Sequence, residues 1–213
     1  MQVFCFGDSI TQGFWDEAGG WTNRVRAAYD KAFLTSGSKV GEGYVSFFQL
    51  GIDGDDSKGL LNRIKNEYRA RKWPHEESAF LIAIGTNDTI FTRDSFARST
   101  EEFMKNISAI TEFCKENANK VYFVGLSPVQ DELLNPMPWS RTGKCYSTER
   151  IKIFDDILRS FCQTNNVAYI DIWNDFPQEK LDVLTYDGIH PSSQGHDLIA
   201  NKVASFISKD IPV

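Results

Sequence analysis

The stretch MQVFCFGDSITQG, residues 1–13, decides how the rest of the chain is interpreted. Its first six residues are mostly apolar, which is typical of a strand buried on both faces of a sheet. The run then stops at Gly7-Asp8-Ser9, a polar turn. A serine at the end of such a strand can be a helix cap, a turn residue or a nucleophile, and the remaining sequence must decide.

Strand and helix patterns alternate from one end of the chain to the other. This alternation predicts a parallel sheet of five strands with helices on both faces. No repeat or linker interrupts it, so we expect one domain over residues 1–213. The predicted strands are residues 3–6, 44–50, 79–84, 121–126 and 167–172, and the predicted helices are 21–34, 58–71, 95–117, 148–165 and a last helix after Pro191 that ends near Ser208.

The charge balance limits the possible partners. The net charge is −6 and no block of Lys and Arg occurs, so the basic face that a nucleic-acid-binding protein needs is missing. No run approaches the roughly 18 apolar residues of a membrane span. We therefore expect no nucleic acid and no membrane span, and the oligomeric state stays open.

The cysteines and the first residues bear on the compartment. No two of the four cysteines have metal-ligand spacing. Cys5, Cys114 and Cys162 lie among apolar residues and are expected to be buried and reduced, whereas Cys145 lies in a loop where it could be exposed. Met1-Gln2 leads into the first strand without the features of a secretory signal. We expect a cytoplasmic protein, unless a leader was removed before this start.

Small and polar residues follow each predicted strand. In an open parallel sheet, ligands bind beyond the carboxyl ends of the strands, so these segments are expected to converge. Ser9 would then lie near the other segments. They are Gly7-Asp8-Ser9, Gly51-Ile52-Asp53-Gly54-Asp55, Gly85-Thr86-Asn87-Asp88, Ser127-Pro128 and, before the last helix, Tyr186-Asp187-Gly188-Ile189-His190-Pro191.

His190 is the candidate base for Ser9. A serine hydroxyl attacks only when a base takes its proton, and a third group usually orients that base. Asp187, three residues earlier, can face the same side of a turn and accept a hydrogen bond from the imidazole. Pro191 is expected at the first position of the last helix. The plain alternative is that Asp187 and Ser192 are a turn residue and a helix cap.

The other two histidines fit catalysis less well. His75 precedes the third strand and should lie at the opposite end of the sheet. His196 falls inside the last helix, where a structural role is expected.

Two further residues could stabilise the negative charge that forms on the attacked carbonyl oxygen. Gly54 would let a backbone N–H approach closely, and Asn87 could offer its side-chain amide. Each residue taken alone also suits an ordinary turn or cap. Their joint occurrence beyond successive strands favours the catalytic interpretation.

These segments resemble four sequence blocks of the SGNH, or GDSL-type, esterase/lipase family. FGDSITQG resembles the first block, GIDGDD the second, IGTND the third and DGIHP the fifth, in the family's order. The resemblance implies a flavodoxin-like three-layer α/β/α fold and a serine hydrolase. It implies that Ser9 is the nucleophile, His190 the base and Asp187 its orienter. It also implies an oxyanion hole formed by the Ser9 N–H, the Gly54 N–H and the Asn87 amide, with no metal and no cofactor.

The sequence departs from the family pattern in the second block. Gln49 stands where Asn is common, and Asp53 stands where Ser is common. Asp53 adds negative charge near the predicted site and so is a candidate substrate contact. Thr11 also breaks the G-x-S-x-G pattern of the nucleophile-elbow hydrolases, which counts against that fold.

Several side chains are candidates for substrate binding. Trp15, Met137 and Trp139 could line the pocket, although ordinary loop packing explains them equally well. Asp8 is expected to hold the Gly7–Ser9 turn, and it is also a candidate substrate contact. The irregular segment 130–146 is a candidate lid.

The reaction class follows from the resemblance, and some alternatives stay open. We expect hydrolysis of a short-chain carboxylic ester, with O-acetylated carbohydrates among the candidate substrates. Lysophospholipid or thioester hydrolysis, acyl transfer to an alcohol, and a silent binding module remain alternatives. A further alternative is a metal-dependent phosphatase or nuclease that uses Asp8, which would need the carboxylates of the DGDD segment, residues 53–56, as metal ligands.

Overall fold

Five parallel strands form a sheet in the computed structural model, which describes residues 1–37 and 43–211. They are β1 (Gln2–Gly7), β2 (Ser46–Gly51), β3 (Ser78–Ala83), β4 (Lys120–Val124) and β5 (Ala168–Ile170). Their order across the sheet is β2-β1-β3-β4-β5. The order reverses between β1 and β3, which is the switch point where open α/β sheets bind ligands. The expected α/β/α architecture with five parallel strands is confirmed.

The sequence of β1 explains why helices cover both faces of the sheet. Successive side chains of a strand point to opposite faces. Phe4 and Phe6 pack into one hydrophobic core, and Val3 and Cys5 pack into the other. All four side chains are at most 1% exposed. A strand whose central side chains are all apolar is stable only between two layers.

Eight α-helices lie within the described residues. Helices α2 and α8 pack on the face that holds Val3, and helices α3, α4 and α6 pack on the face that holds Phe4. The helices are α1 (Ser9–Gln12), α2 (Gly20–Thr35), α3 (Ser57–Arg71), α4 (Thr100–Asn117), α5 (Asp131–Leu134), α6 (Thr148–Thr164), α7 (Leu181–Leu184) and α8 (Ser193–Ile207).

Two helix starts differ from the prediction, each for a local reason. Helix α4 begins at Thr100, not near Ser95, because Ser99 and Glu102 form a capping box. Pro191 does not occupy the first position of α8. Ser192 is the N-cap, with its hydroxyl accepting a hydrogen bond from the Gly195 N–H, and Pro191 pairs with Thr185 before the helix begins.

The expected exposure of Cys145 is wrong. Its backbone N–H donates to the Phe91 carbonyl at 2.7 Å. The residue is only 7% exposed, because this pairing holds its segment against the body of the protein. The other three cysteines are buried as expected, and all four are free.

The predicted strands each match an observed strand to within a few residues. The short helices α1, α5 and α7 were not predicted, since four residues give no periodic pattern. Helix α5 lies inside the segment interpreted as irregular. Within residues 1–37 and 43–211, no helix has the length and apolar character needed to span a bilayer.

Candidate active site

Ser9, His190 and Asp187 form a continuous chain of hydrogen-bonding contacts. Ser9 Oγ lies 2.9 Å from His190 Nε2, and His190 Nδ1 lies 2.7 Å from Asp187 Oδ2. Ser9 follows β1, whereas the other two residues precede α8, so the contact joins residues 181 positions apart. The serine hydroxyl thus faces an imidazole whose other nitrogen is held by a carboxylate.

The backbone around Gly7 sets the position of Ser9. A side chain at Gly7 would collide with the Ala83 carbonyl and the Thr11 side chain, so only glycine lets β1 pass so close to α1. Asp8 then caps α1, accepting a hydrogen bond from the Ile10 N–H at 2.9 Å. The Asp8 carboxyl is fully buried, and this burial raises its pKa to about 7 although the Ile10 N–H opposes the shift.

The turn that carries Asp187 and His190 is closed by its own backbone. The Tyr186 N–H donates to the His190 carbonyl at 2.8 Å. Asp187 Oδ1 accepts hydrogen bonds from the N–H groups of Ile189, at 3.2 Å, and His190, at 2.9 Å. Burial by itself raises the pKa of Asp187, but the hydrogen bonds from the His190 ring and backbone hold it below its ordinary value. The carboxylate is therefore ionised at neutral pH.

Gly54 and Asn87 reach the same edge of the sheet as Ser9. Gly54 has φ 71°, in the left-handed region that favours glycine. Asn87 begins a 3₁₀ turn after β3. Its Nδ2 donates to the Asp55 carbonyl at 2.9 Å, and its Oδ1 accepts from the Tyr146 hydroxyl at 2.7 Å.

The carboxylates that follow Gly54 already have partners. Asp55 forms an ion pair with Arg63 at 2.8 Å, and Arg63 also donates to the Gly7 carbonyl at 3.0 Å. Asp56 pairs with Arg98 at 2.8 Å and caps α3. These contacts fix the loop between β2 and α3. They also engage one carboxylate oxygen of Asp55 and both of Asp56, which the metal-dependent alternative would need as ligands.

A second buried carboxyl anchors the same loop from the other side. Asp88 Oδ2 accepts from the Ser57 N–H at 2.8 Å, and Asp88 Oδ1 accepts from the Ser57 hydroxyl. Burial raises the pKa of Asp88 to about 7 despite these hydrogen bonds. The start of α3 and the turn that carries Asn87 are thereby held together.

A cleft of about 220 Å³ opens over Ser9, Asn87 and His190. Four of the five candidate substrate contacts line it, namely Asp8, Asp53, Met137 and Trp139. Trp15 is not among the lining residues. Its indole Nε1 instead donates to Asp187 Oδ2 at 3.1 Å. Trp15 therefore contacts the Asp187–His190 pair without lining the cleft.

His196 and His75 lie where the sequence predicts. His196 is fully buried in α8, and its Nδ1 accepts from the Trp21 N–H at 3.2 Å. Its Nε2 lies 3.3 Å from the Phe14 carbonyl, and burial lowers its pKa. His75 lies between α3 and β3, at the far end of the sheet. The Phe14 ring lies 5.5 Å from the His190 ring, so His196 supports the site indirectly.

The two departures from the family pattern in the second block, Gln49 and Asp53, differ in their surroundings. Gln49 Nε2 lies 2.9 Å from Thr22 Oγ1 and 3.0 Å from the Gly19 carbonyl, so this side chain ties β2 to the start of α2. Asp53 is exposed at the rim of the cleft. Tyr146 lines the cleft and contacts Asn87, and the sequence does not predict this contact, because no pattern links residues 59 positions apart.

Solved structures share this fold at low sequence identity. A G-D-S-L-family lipolytic protein from Veillonella parvula has a TM-score of 0.71 and 19% identity, over 98% of this chain and 99% of that one. A lipase/acylhydrolase from Enterococcus faecalis has a TM-score of 0.72 and 22% identity, over 98% and 95%. An acetyl xylan esterase from Geobacillus stearothermophilus has a TM-score of 0.71 and 17% identity, over 100% and 95%. A comparison with curated protein sequences finds no match.

The sequence blocks carry the family assignment. The profile of the GDSL-like lipase/acylhydrolase family matches residues 5–198, a span that begins in β1 and ends in α8. This span includes the Gly7-Asp8-Ser9 turn, the loop with Gly54, the turn with Asn87 and the Asp187–His190 pair. The chain belongs to the GDSL-like lipase/acylhydrolase family.

Proposed function

We propose that the protein is a serine esterase that hydrolyses short-chain carboxylic esters through an acyl-enzyme. The observation that supports this most directly is the contact chain from Ser9 Oγ through His190 to Asp187, at 2.9 and 2.7 Å. This is the arrangement in which a base withdraws the serine proton while a carboxylate orients the base. Its position beside two candidate oxyanion donors adds further support.

In the first step His190 Nε2 takes the proton from Ser9 as Oγ attacks the ester carbonyl carbon. Asp187 keeps the imidazole in the tautomer with its proton on Nδ1 and stabilises the imidazolium that forms. The imidazolium then returns its proton to the leaving alcohol. A water molecule, activated by the same nitrogen, hydrolyses the acyl-enzyme and restores the Ser9 hydroxyl.

Three donors are proposed for the negative oxygen of the tetrahedral intermediate: the N–H of Ser9, the N–H of Gly54 and one N–H of Asn87. Within the described residues, neither backbone N–H group is engaged in a hydrogen bond to the protein. Donors already fixed in place stabilise this charge without the reorganisation that water requires.

The dimensions of the cleft support a small substrate. Its volume of about 220 Å³ lies below the roughly 300–1,000 Å³ of pockets that enclose drug-sized ligands. An acetyl group with part of a sugar or other alcohol is compatible with this space, and an enclosed long acyl chain is not. We therefore favour a short acyl ester, with acetylated carbohydrates as the first substrates to test, over a lysophospholipid.

The test is the hydrolysis of p-nitrophenyl acetate by the wild type, Ser9→Ala and Ser108→Ala. Ser9→Ala is expected to lower kcat by about 10⁶, as when a nucleophile is lost. Ser108, whose hydroxyl donates to Glu112 in the same helix, provides the same chemical change away from the cleft. A Ser9→Ala protein that retains wild-type turnover would overturn the mechanism.

Inactive but folded wild-type protein would favour the silent binding module. Acyl transfer is tested in the same assay by adding alcohols as acceptors. Release of p-nitrophenol that rises with alcohol concentration, with formation of the new ester, identifies an acyltransferase.

A further inference from the structure

The side-chain amide of Asn87 is held by two neighbours, the Asp55 carbonyl and the Tyr146 hydroxyl. Asn87 Nδ2 lies 2.9 Å from the Asp55 carbonyl oxygen, which can only accept a hydrogen bond. The Tyr146 hydroxyl lies 2.7 Å from Asn87 Oδ1 and donates to it. Rotation of the amide by 180° would set Oδ1 against the Asp55 carbonyl oxygen, so this carbonyl selects the orientation, and the hydrogen bond from Tyr146 holds the amide in it.

This orientation leaves one N–H of Asn87 uncommitted. The side-chain amide has two donor hydrogens, and the Asp55 carbonyl takes one of them. Asn87 also lines the cleft beside Ser9. The second hydrogen is therefore available to the carbonyl oxygen of a bound ester.

The Tyr146 hydroxyl is held firmly in place. The residue is 4% exposed, and its N–H donates to the Leu134 carbonyl at 3.1 Å. The preceding residue, Cys145, pairs through its backbone with Phe91. Burial raises the pKa of Tyr146, and the charges of Asp8, Asp53 and Asp187 raise it further, so the hydroxyl keeps its proton and acts as the donor.

Through its hydrogen bond to the Asp55 carbonyl, Asn87 also connects Tyr146 to the loop that follows β2. Asp55, whose carbonyl accepts from Asn87, directly follows Gly54. The contacts Tyr146–Asn87–Asp55 thus connect the segment before α6, the turn after β3 and the loop after β2. Gly54 and Asn87, two of the three proposed oxyanion donors, lie on segments that these contacts join.

We propose that Tyr146 is a positioning residue that fixes the Asn87 amide so that one N–H faces the oxyanion. The inference rests on the proposed function. It assigns the end of segment 130–146 a fixed structural role beside the site. Tyr146 also lines the cleft, so a direct contact with substrate is the competing explanation that the test must separate.

The test is a double-mutant cycle on p-nitrophenyl acetate with Tyr146→Phe, Asn87→Ala and the double variant. Asn87→Ala is expected to lower kcat by about 10²–10³, the effect of losing an oxyanion donor. Tyr146→Phe is expected to lower kcat by about three- to tenfold, the effect of one neutral hydrogen bond, with KM unchanged. In the Asn87→Ala background, Tyr146→Phe should change kcat by less than about twofold, because the group on which it acts is gone.

Tyr29→Phe is the matched control. Its hydroxyl is also buried and donates to a backbone carbonyl, that of Ile211, at 2.8 Å. It should lower the Tm without lowering kcat, which separates loss of a buried hydrogen bond from loss of amide orientation.

Two outcomes would overturn the inference. One is a Tyr146→Phe variant with wild-type kcat. The other is an equal loss in the wild-type and Asn87→Ala backgrounds, which would mean that Tyr146 acts on the substrate or the fold. Full activity of both Ser9→Ala and Asn87→Ala would instead reject the proposed function itself, so the two failures are distinguishable.

Discussion

The indole Nε1 of Trp15 lies 3.1 Å from Asp187 Oδ2, the same oxygen that lies 2.7 Å from His190 Nδ1. Trp15 has φ 61°, a conformation that bulky residues seldom adopt. Its ring packs on the exposed ring of Tyr186, with the centroids 5.3 Å apart. The indole N–H therefore adds a fixed donor to the carboxylate that orients the imidazole. Without that N–H, one hydrogen bond that holds Asp187 in place is lost.

We predict that Trp15→Phe lowers kcat by about three- to tenfold, because it deletes this donor while keeping an aromatic ring. The loss should be the same for acetate esters of different alcohols, since it arises at Asp187. Steady-state kinetics on p-nitrophenyl acetate and on acetylated sugars measures both values. A loss that changes with the alcohol would instead identify Trp15 as a substrate contact, as the sequence suggested.

Trp73→Phe is the control for this variant. Trp73 is also about half exposed, at 47%, but lies between α3 and β3 at the opposite end of the sheet. A similar decrease in kcat for Trp73→Phe would contradict a local role for the Trp15 N–H.

The cleft volume predicts how activity depends on acyl length. Across p-nitrophenyl esters from acetate to palmitate, kcat/KM is expected to be highest for the shortest chains and to fall steadily, because about 220 Å³ leaves little room beyond the reacting atoms. Initial rates below the micellar range of the long esters give the profile. A maximum at eight or more acyl carbons would show that the chain lies outside the cleft or that segment 130–146 opens.

The buried carboxyl of Asp8 should make the folded protein less stable as the pH rises. Its pKa is raised from 3.8 to about 7 in the folded protein, so between these values the unfolded chain has lost a proton that the folded protein retains. Stability contributed by the protonated carboxyl is then lost across this window. Asp8→Asn keeps the acceptor for the Ile10 N–H. Its free energy of unfolding relative to that of the wild type should increase by on the order of 2–4 kcal/mol as the pH rises from about 4 to about 7.

Urea unfolding of the wild type and Asp8→Asn at pH 4.5, 6 and 7.5 measures this difference. Asp53→Asn makes the same change at an exposed carboxyl of the cleft rim. A wild type and an Asp8→Asn variant whose difference in unfolding free energy stays constant with pH would show that Asp8 is already ionised in the folded state.

The strands of the sheet and the catalytic candidates could be predicted from the sequence because both depend on local signals. An apolar run such as residues 79–84 identifies a buried strand, and a glycine or polar turn after it marks the carboxyl end. Strand order could not be predicted this way, since it depends on which helices pack together across the sheet. Helix α4 begins at Thr100 and not near Ser95, although Ser99 and Glu102 carry the capping-box spacing that marks this start in the sequence.

The supporting contacts of the site were beyond the reach of sequence patterns. Trp15 and Asp187 are 172 positions apart, and Tyr146 and Asn87 are 59 apart. Neither pair has a spacing that a helix or turn imposes, so only the folded chain brings them together. The Asp187–His190 pair can be predicted from the sequence because both residues lie in one turn, three positions apart.

His196 predicts a separate loss of stability in acid. Burial lowers its pKa below the ordinary value of 6.5, so below about pH 6.5 the unfolded chain binds a proton that the folded protein does not, and stability falls as the pH falls. His196→Gln should lower the Tm at every pH, because it breaks the link between the Trp21 N–H and the Phe14 carbonyl. It should also reduce the further decrease in Tm between pH 6.5 and pH 5.

Thermal unfolding at these pH values, with His75→Gln as the same change at an exposed histidine, measures both effects. If the acid loss is as steep in His196→Gln as in the wild type, other groups cause it and His196 is protonated in the folded protein.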